Sequence, residues 1–289
     1  MLTRTEKQIV RKRFNVGKIL LPYIEDFIET GEARINSQED IGFIQELAEK
    51  TIEREEKRKA ELVFSPSSLS VCLRQVYLKK NFERFNITPV NKLKIEDYYY
   101  FVTGDWNHFK WQFVLYKMDQ SGMFPDYKLI DVERRVKSDF YGVAGTIDVI
   151  FEKSKEIFAG DFKGLNVNSF RKISNGLVPE EYSFQISNYA WLYGTEIGKK
   201  IFGILFTENK GGPDHRHLIA LHESLIDCGS YFPFINSRLK LLMTYQKKNK
   251  SSQLPDVECH SVKLRQFLDC PFSEFCRKEV RKVEKNRHG

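Results

Sequence analysis

The chain has 289 residues and a mass of 34.0 kDa, long enough for one large domain or two modest ones. Its 46 lysines and arginines exceed its 39 aspartates and glutamates, and the formal charge of +7 suits an anionic partner without requiring one. No apolar run approaches the roughly 20 residues that cross a bilayer, so we expect a soluble chain. A hydrophobic fraction of 41% supports a sizeable globular core.

The start of the chain lacks the apolar segment of a secretory signal. Its basic opening is similar to an organelle-targeting peptide only loosely, because Glu6 interrupts it and serine is missing. We therefore expect a cytosolic protein. In that compartment the five cysteines are expected to be thiols or metal ligands and not disulfides.

The first 62 residues are charged and typical of helices, with the strongest helix-forming run at Phe43–Leu62. The many charges predict an exposed face supported by local ion pairs, to which we assign no chemistry. Ser65 and Pro66 then form a good helix opening. The apolar side chains that follow share one helical face and predict that Cys72 points inward: Leu69, Cys72, Leu73, Val76 and Tyr77.

An irregular loop is predicted between Lys80 and Asp97, and whether it faces nucleic acid is left open by the residues. An aromatic-rich helix is predicted at Tyr98–Met118. Gly104 and His108 share a face of that helix because they are four residues apart. A histidine among aromatic side chains is usually a packed core residue, so the helix alone does not make His108 a ligand.

Alternating and turn-bounded patterns predict a series of strands and helices after this point. Strands are predicted at Lys128–Lys137, Phe140–Phe151, Glu156–Leu165, Ile201–Thr207 and His215–Ala220, and helices at Glu180–Gly198 and Leu221–Lys247, with a break or kink at Pro233. This order favours an α/β core with a mixed central sheet, flanked by helical additions at both ends.

The second and third of these strands form a predicted hairpin that carries charges within apolar runs. Side chains alternate along a strand, so Asp161 and Lys163 point to one face, and hairpin pairing can bring Asp148 beside Asp161. Two adjacent carboxylates in an apolar sheet repel unless a cation lies between them. A divalent ion such as Mg²⁺ or Mn²⁺ satisfies that need. A salt-bridged surface hairpin explains this segment equally well.

Four short motifs in sequence order resemble those of a known family: Gly104-x-x-x-His108, Gly145-Thr-Ile-Asp148, Asp161-Phe-Lys163 and Gln185-x-x-x-Tyr189. From about Ser65 to Cys276 the chain resembles the RecB-like branch of the PD-(D/E)xK nucleases. The similarity is greatest to the CRISPR-associated and AddB-type exonucleases that carry an iron–sulfur cluster. The resemblance implies a restriction-endonuclease-like α/β core with a central mixed sheet flanked by helices.

The resemblance also implies a metal site for one or two Mg²⁺ or Mn²⁺ ions. Its ligands would be His108, Asp148, Asp161 and the backbone carbonyl of Phe162. Lys163 would orient or activate the attacking water.

Three further polar residues are less specific. Gln185 and Tyr189 would position the nucleic-acid strand, and hydrogen-bonded helix packing is the alternative. Glu133, on the preceding strand, is more typical of an exposed strand glutamate than of an additional acidic group at the site.

The cysteines fit the same family in outline, with Cys72 ahead of the core and Cys259, Cys270 and Cys276 after it. The resemblance implies that these four bind a [4Fe-4S] cluster. The family commonly has a close Cys-x-x-Cys pair, whereas Phe267 stands three residues before Cys270 here. Zinc or unmetallated thiols therefore remain alternatives. Cys228 has no partner by spacing and is predicted to be a buried thiol.

Three regions are predicted, residues 1–62, the nuclease core at 63–250, and the cysteine-containing region at 251–289. The last segment, Arg277–Gly289, has six lysines and arginines against two acidic residues. It is interpreted either as a flexible arm that contacts phosphates or as a solvated tail.

The resemblance implies a metal-dependent deoxyribonuclease, an exonuclease acting in DNA repair or recombination. Its expected partners are single-stranded or duplex DNA ends and a helicase or recombination protein, with no membrane. The alternative is a catalytically inactive nucleic-acid-binding or assembly subunit of the same fold. The complete set of Asp148, Asp161 and Lys163 favours the enzyme, because clustered buried charges are unfavourable without a metal to offset them.

Overall fold

A computed structural model describes residues 19–60, 64–90, 95–212, 221–247, 254–259, 268 and 270–288. The helices, in chain order, are α1 Leu21–Glu29, α2 Gln38–Ala60, α3 Leu73–Asn81, α4 Ile95–Gln120, α5 Val167–Ser174, α6 Glu180–Ile197, α7 Phe232–Lys247 and α8 Ser273–His288. The strands are β1 Tyr127–Ser138, β2 Val143–Lys153, β3 Glu156–Leu165, β4 Ile201–Asn209 and β5 Leu221–Ile226.

The five strands form one mixed sheet in the order β1-β2-β3-β4-β5. The first three strands are antiparallel neighbours, β3 and β4 are parallel, and β5 returns antiparallel to β4. The parallel step needs a crossover, which α5 and α6 supply. The predicted α/β core with a central mixed sheet flanked by helices is confirmed.

Helices cover both faces of the sheet. On one face, α3, α5, α6 and α7 bury side chains such as Tyr77, Phe170 and Phe184 against the strands. On the other face, α1, α2 and α4 bury Phe27, Leu47 and Leu115. The charged N-terminal region is therefore part of the sheet's covering layer. No helix within the described ranges is both long and apolar enough to cross a bilayer.

The segment after Phe64 is not the single helix that the sequence predicts. Ser65 caps a short 3₁₀ helix at Pro66–Ser70, where its hydroxyl accepts a hydrogen bond from the Ser68 amide at 3.3 Å. The chain then extends at Val71 and Cys72 before α3 begins. The capping prediction is confirmed. The break places Cys72 at a helix start, not along a helical face.

The region from Leu221 also differs from its prediction. Its first six residues form β5, because they complete the hydrogen-bonding edge of β4. Helix α7 begins only at Phe232, so Pro233 lies in its first turn, where a missing amide proton breaks no helical hydrogen bond. The predicted strand at 215–220 lies outside the described residues.

Two helices were not predicted. Helix α5 begins after Asn166, whose side chain accepts the Ser169 amide at 3.0 Å as an N-cap. Helix α8 occupies most of the segment interpreted as a flexible arm or a solvated tail, so its predicted lack of structure is wrong, whereas a contact with phosphates stays a prediction. Cys276 and Val280 lie one helical turn apart and are both buried, which anchors α8 to the fold. The division into three regions stays a prediction.

Gly203 on β4 fixes how closely α6 approaches the sheet. A Cβ atom at this position would lie 2.5 Å from both the Cys228 sulfur and Ile186 Cγ2. We expect Gly203→Ala to lower the free energy of unfolding by about 1–3 kcal/mol, because an overpacked core must shift. Urea unfolding measures the change.

Gly42 is the matched control, since it is an exposed residue in α2 where an added Cβ atom would have no neighbouring atom within 4 Å. Gly42→Ala should stabilise the protein by about 0.5–1 kcal/mol through helix propensity. Equal stability of Gly203→Ala and the wild type would contradict the packing argument.

Candidate active site

The hydrogen-bond ladder between β2 and β3 ends inside the sheet. Its last pair is Val149 with Gly160, whereas β1 and β2 stay paired to Ser138 and Val143. Continuing the register places Asp148 opposite Asp161 at the first position past the end of the ladder. Both carboxylates are buried, with Asp148 5% and Asp161 2% exposed. The predicted pairing of these two residues is therefore present.

The backbone of Phe162 takes part in this opening. Its amide donates to Asp148 Oδ2 at 2.8 Å instead of pairing with β2. Its carbonyl oxygen lies 2.9 Å from His108 Nε2, which donates to it if that nitrogen carries the ring proton. The other ring nitrogen, His108 Nδ1, is buried, makes no hydrogen bond and lies 3.6 Å from Asp148 Oδ2. The unbonded His108 Nδ1 and the Asp148 carboxylate thus face each other.

Lys163 lies directly beside the second carboxylate. Its Nζ is 2.6 Å from Asp161 Oδ2, and Gln185 Nε2 donates to Asp161 Oδ1 at 2.8 Å. Burial acts to lower the pKa of Lys163, but the charges of Asp161 and Asp148 outweigh it and raise that pKa. Lys163 is therefore held as an ammonium ion, which can donate hydrogen bonds and neutralise charge but cannot accept a proton.

Tyr189 and Gln185 lie on one face of α6, as their spacing predicts. The Tyr189 hydroxyl is 3.4 Å from Gln185 Nε2, and the Tyr189 ring packs against β2 at Gly145. A Cβ atom on Gly145 would lie 2.8 Å from the Tyr189 ring and 2.7 Å from Pro66, so this position in the Gly145-Thr-Ile-Asp148 motif excludes a side chain. In this arrangement Gln185 orients Asp161. A contact of Gln185 or Tyr189 with phosphate stays a prediction.

Glu133 is the acidic residue for which the sequence favoured the wrong alternative. The sequence predicted an exposed strand glutamate, and this is wrong because α2 and α4 cover β1 there, leaving the side chain 2% exposed. Gln112 Nε2 donates to Glu133 Oε1 at 2.9 Å and to the Asp148 carbonyl oxygen at 2.7 Å. Arg54 from α2 donates to Glu133 Oε2 at 2.9 Å. Helix α2, to which no chemistry was assigned, therefore reaches the site.

The backbone at Glu133 is unusual for a strand. Its φ of +53° lies in the left-handed region, which is unfavourable for a residue with a Cβ atom. The β1–β2 register places Glu133 opposite Asp148, since Val132 pairs with Val149 and Arg134 with Ile147. Strand alternation alone does not predict a twist of this kind, so the pattern carried no signal for it.

The electrostatics of the site fit a bound cation. Burial raises the pKa of Asp148, with the charge of Asp161 adding to the effect and His108 opposing it. Burial and the charge of Asp148 likewise raise the pKa of Glu133, while Arg54 opposes the rise. Among the described residues, His108, Glu133 and Asp148 form a group whose ligand atoms all lie within 4.8 Å of one another. Carboxylate oxygens with one imidazole suit Mn²⁺ or Mg²⁺.

The four cysteines of the predicted cluster are all buried and come from separated parts of the chain. A hydrogen bond between the Cys72 and Cys259 thiols lowers the pKa of Cys72 to about 6 and raises that of Cys259. Cys270 and Cys276 lie near enough for their charges to raise the Cys259 pKa further. Burial raises the pKa of Cys276 to about 11. The structure therefore gathers the predicted quartet.

Arg74 ties together the elements that carry these cysteines. Its Nε donates to the Pro255 carbonyl oxygen at 2.6 Å, and its Nη1 lies 2.9 Å from Glu279 Oε2 on α8. Cys228 lies apart from the quartet, buried between β4 and α6, and burial raises its pKa to about 12. The prediction of Cys228 as a buried thiol is confirmed.

Comparison with known proteins finds similarity to solved structures. No family model matches the chain, and no curated protein matches it. The structure of SSO0001 is similar at 17% identity and a TM-score of 0.36, over 90% of this chain and 96% of that one.

An alkaline exonuclease, LHK-Exo from Laribacter hongkongensis, is similar at 11% identity and a TM-score of 0.43, over 68% of this chain and 93% of that one. LHK-Exo in complex with dAMP gives 10% identity and a TM-score of 0.41, over 65% of this chain and 89% of that one. All three TM-scores are below 0.5.

The buried carboxylate pair makes a prediction about stability. We expect Asp148→Asn to raise the melting temperature of the metal-free protein by about 2–4 °C, because one of two adjacent buried negative charges is removed. The same variant should lose the stabilisation that added Mn²⁺ gives the wild type, since a ligand is missing. Thermal unfolding with and without Mn²⁺ measures both effects.

The control for this prediction is Asp139→Asn, an aspartate whose side chain is 83% exposed at the β1–β2 turn. It should melt like the wild type and keep the response to Mn²⁺. An Asp148→Asn protein that Mn²⁺ stabilises as strongly as the wild type would show that Asp148 is not a ligand.

Proposed function

We propose that the protein is a metal-dependent nuclease that hydrolyses phosphodiester bonds in DNA, acting as an exonuclease. The observation that carries this proposal is the pair Asp148 and Asp161, buried side by side where β2 and β3 separate, with the Lys163 ammonium against one of them. Buried like charges at a cleft between strands are unfavourable unless a cation joins them. Such sites are typical of catalysis.

The side chains available to hold a divalent ion are Asp148, Asp161 and His108, with the carbonyl oxygen of Phe162. The orphaned Nδ1 of His108, aimed at Asp148, supports these two members of the set. When bound, Mg²⁺ or Mn²⁺ supplies Lewis-acid stabilisation of the negative charge on a scissile phosphate. The Phe162 amide keeps Asp148 oriented, and Gln185 does the same for Asp161.

Lys163 is placed to act on the reacting groups. Its ammonium lies between the Asp161 carboxylate and the Tyr182 ring, 5.9 Å from that ring's centre. Since it stays protonated, its role is to hold the attacking water by a hydrogen bond and to stabilise charge that develops on the phosphate. The proton lost by the water must go to another acceptor, and a carboxylate or solvent can take it.

We infer that Cys72, Cys259, Cys270 and Cys276 bind a [4Fe-4S] cluster, with zinc as the alternative. Thiolates are the ligands of either metal. The gathering of four buried thiols, with the pKa of Cys72 lowered to about 6, supports a metal site of some kind. A cluster bound by these cysteines would join the segment at Cys72 to α8, which carries Cys276.

The proposed substrate is DNA with single-stranded or duplex ends, which the excess of basic residues suits. A helicase or recombination protein as partner, and a cytosolic location, stay expectations from the resemblance. Cleavage by the purified protein alone would make such a partner unnecessary for catalysis.

The first test of the proposal removes the second carboxylate. Asp161→Ala should lower the rate of cleavage in Mg²⁺ or Mn²⁺ by at least about 100-fold, since a metal ligand contributes several kcal/mol to the transition state. DNA binding should be largely kept. End-labelled single-stranded and duplex DNA in a metal series measures cleavage, and a gel-shift assay measures binding.

Asp139→Ala, at an exposed turn, is the control and should cleave like the wild type. Unchanged cleavage by Asp161→Ala would remove the assignment. A wild type that binds DNA and cleaves neither substrate in any metal would support the non-catalytic subunit instead.

The second test concerns the cysteines. Anaerobically purified wild type should be coloured and contain about four irons per chain, and Cys276→Ser should lose most of that iron and colour. Cys228→Ser is a matched control, because it replaces another buried cysteine outside the quartet, and its iron content should equal the wild type's. Colourless wild type with stoichiometric zinc would contradict the iron–sulfur assignment.

A further inference from the structure

Glu133 lies within ligand distance of the proposed metal site, yet both of its oxygens are already engaged. Gln112 donates to Oε1 at 2.9 Å and Arg54 donates to Oε2 at 2.9 Å. Its ligand atom lies within 4.8 Å of those of His108 and Asp148. Glu133 is thus held beside the site by protein groups that an ion would have to displace.

Arg54 is held firmly in this position. It lies one turn after Lys50 on the same face of α2, and Lys50 bonds both Asp131 and the Val132 carbonyl oxygen at 3.1 Å. Lys117 on α4 pairs with Asp40 at 3.0 Å near the other end of α2. The helix is therefore held to β1 and to α4 at two points that both precede Arg54.

The positive charge of Arg54 offsets the buried negative charge of Glu133. A glutamate that is 2% exposed is unfavourable as an anion unless a cation pairs with it. Asp148, opposite Glu133 on β2, adds a second negative charge. In centres with two metal ions, about 3.5–4 Å apart, a second divalent ion bound by carboxylate oxygens can supply positive charge at such a position. Here a guanidinium does so.

We propose that Arg54 occupies the place of a second metal ion beside Glu133, so that the centre binds a single divalent ion through His108, Asp148 and Asp161. The proposal rests on the metal-dependent nuclease site proposed above and goes beyond it by fixing the number of ions. A cleft of about 210 Å³ between α2 and β1 is lined by both Arg54 and Glu133. Removal of the guanidinium would therefore open Glu133 to an ion from solvent.

The test counts Mn²⁺ ions in the full chain by calorimetric titration and by electron paramagnetic resonance. The wild type should bind one ion per chain. Arg54→Ala should bind two, with the exchange-coupled signal of a close Mn²⁺ pair, and Arg54→Lys should bind one because a cation is restored. Adding Glu133→Gln to Arg54→Ala should remove the second ion and its signal.

Arg134→Ala is the matched control, since Arg134 lines the same cleft but pairs with Glu196 at 2.6 Å and not with Glu133. It should bind one ion. Two ions in the wild type, or one ion in a folded Arg54→Ala protein, would overturn the proposal for Arg54. A wild type that binds no Mn²⁺ would instead remove the nuclease site on which it rests.

If Arg54→Ala does not fold, the single variant Glu133→Gln tests whether Glu133 is a metal ligand. The proposal expects this variant to keep one Mn²⁺ per chain, because Glu133 is not a ligand while Arg54 is present. Loss of that ion would make Glu133 a ligand of the first metal and would overturn the proposal. Circular dichroism confirms that each variant counted is folded.

Discussion

The separation of β2 from β3 past Val149 and Gly160 is the constraint on which the site depends. A continuous ladder would pair the backbone of Phe162 with β2 and leave no room between the strands. Because the ladder ends, the Phe162 amide turns to Asp148 and its carbonyl to His108. Backbone groups released from a sheet must find other partners. Here those partners are the side chains proposed to carry the chemistry.

Three neighbouring strands carry buried negative charges that need positive partners. Glu133, Asp148 and Asp161 are buried in a row across β1, β2 and β3. The two outer carboxylates pair with cations from different elements. Arg54 of α2 pairs with Glu133, and Lys163 of β3 pairs with Asp161. This arrangement sacrifices stability for a charged centre, as functional sites commonly do. The charged N-terminal helix is therefore part of the centre's electrostatics and not only a solvated cover.

The cysteine region is joined to the core by similar means. Arg74 is buried, and it bonds Pro255 and Glu279, which lie far along the chain from it. A buried guanidinium needs several acceptors, so this residue orders the segments that bring Cys259 and Cys276 toward Cys72. The thiols are thus assembled by the protein's own hydrogen bonds, and a metal would add to an arrangement that is already present.

The α/β core, its central hairpin and the placing of Asp148 beside Asp161 could be predicted from the sequence, because strand periodicity and local motifs are short-range signals. The sequence predicted a helix at Leu221–Ile226, whereas this segment is a strand because it pairs with the edge of β4. The sequence also favoured an exposed Glu133 and gave no sign of Arg54. Their roles depend on a left-handed residue within β1 and on the docking of α2, 79 residues away in sequence. Such long-range contacts leave no periodic trace in one sequence, so they become visible only once the chain is folded.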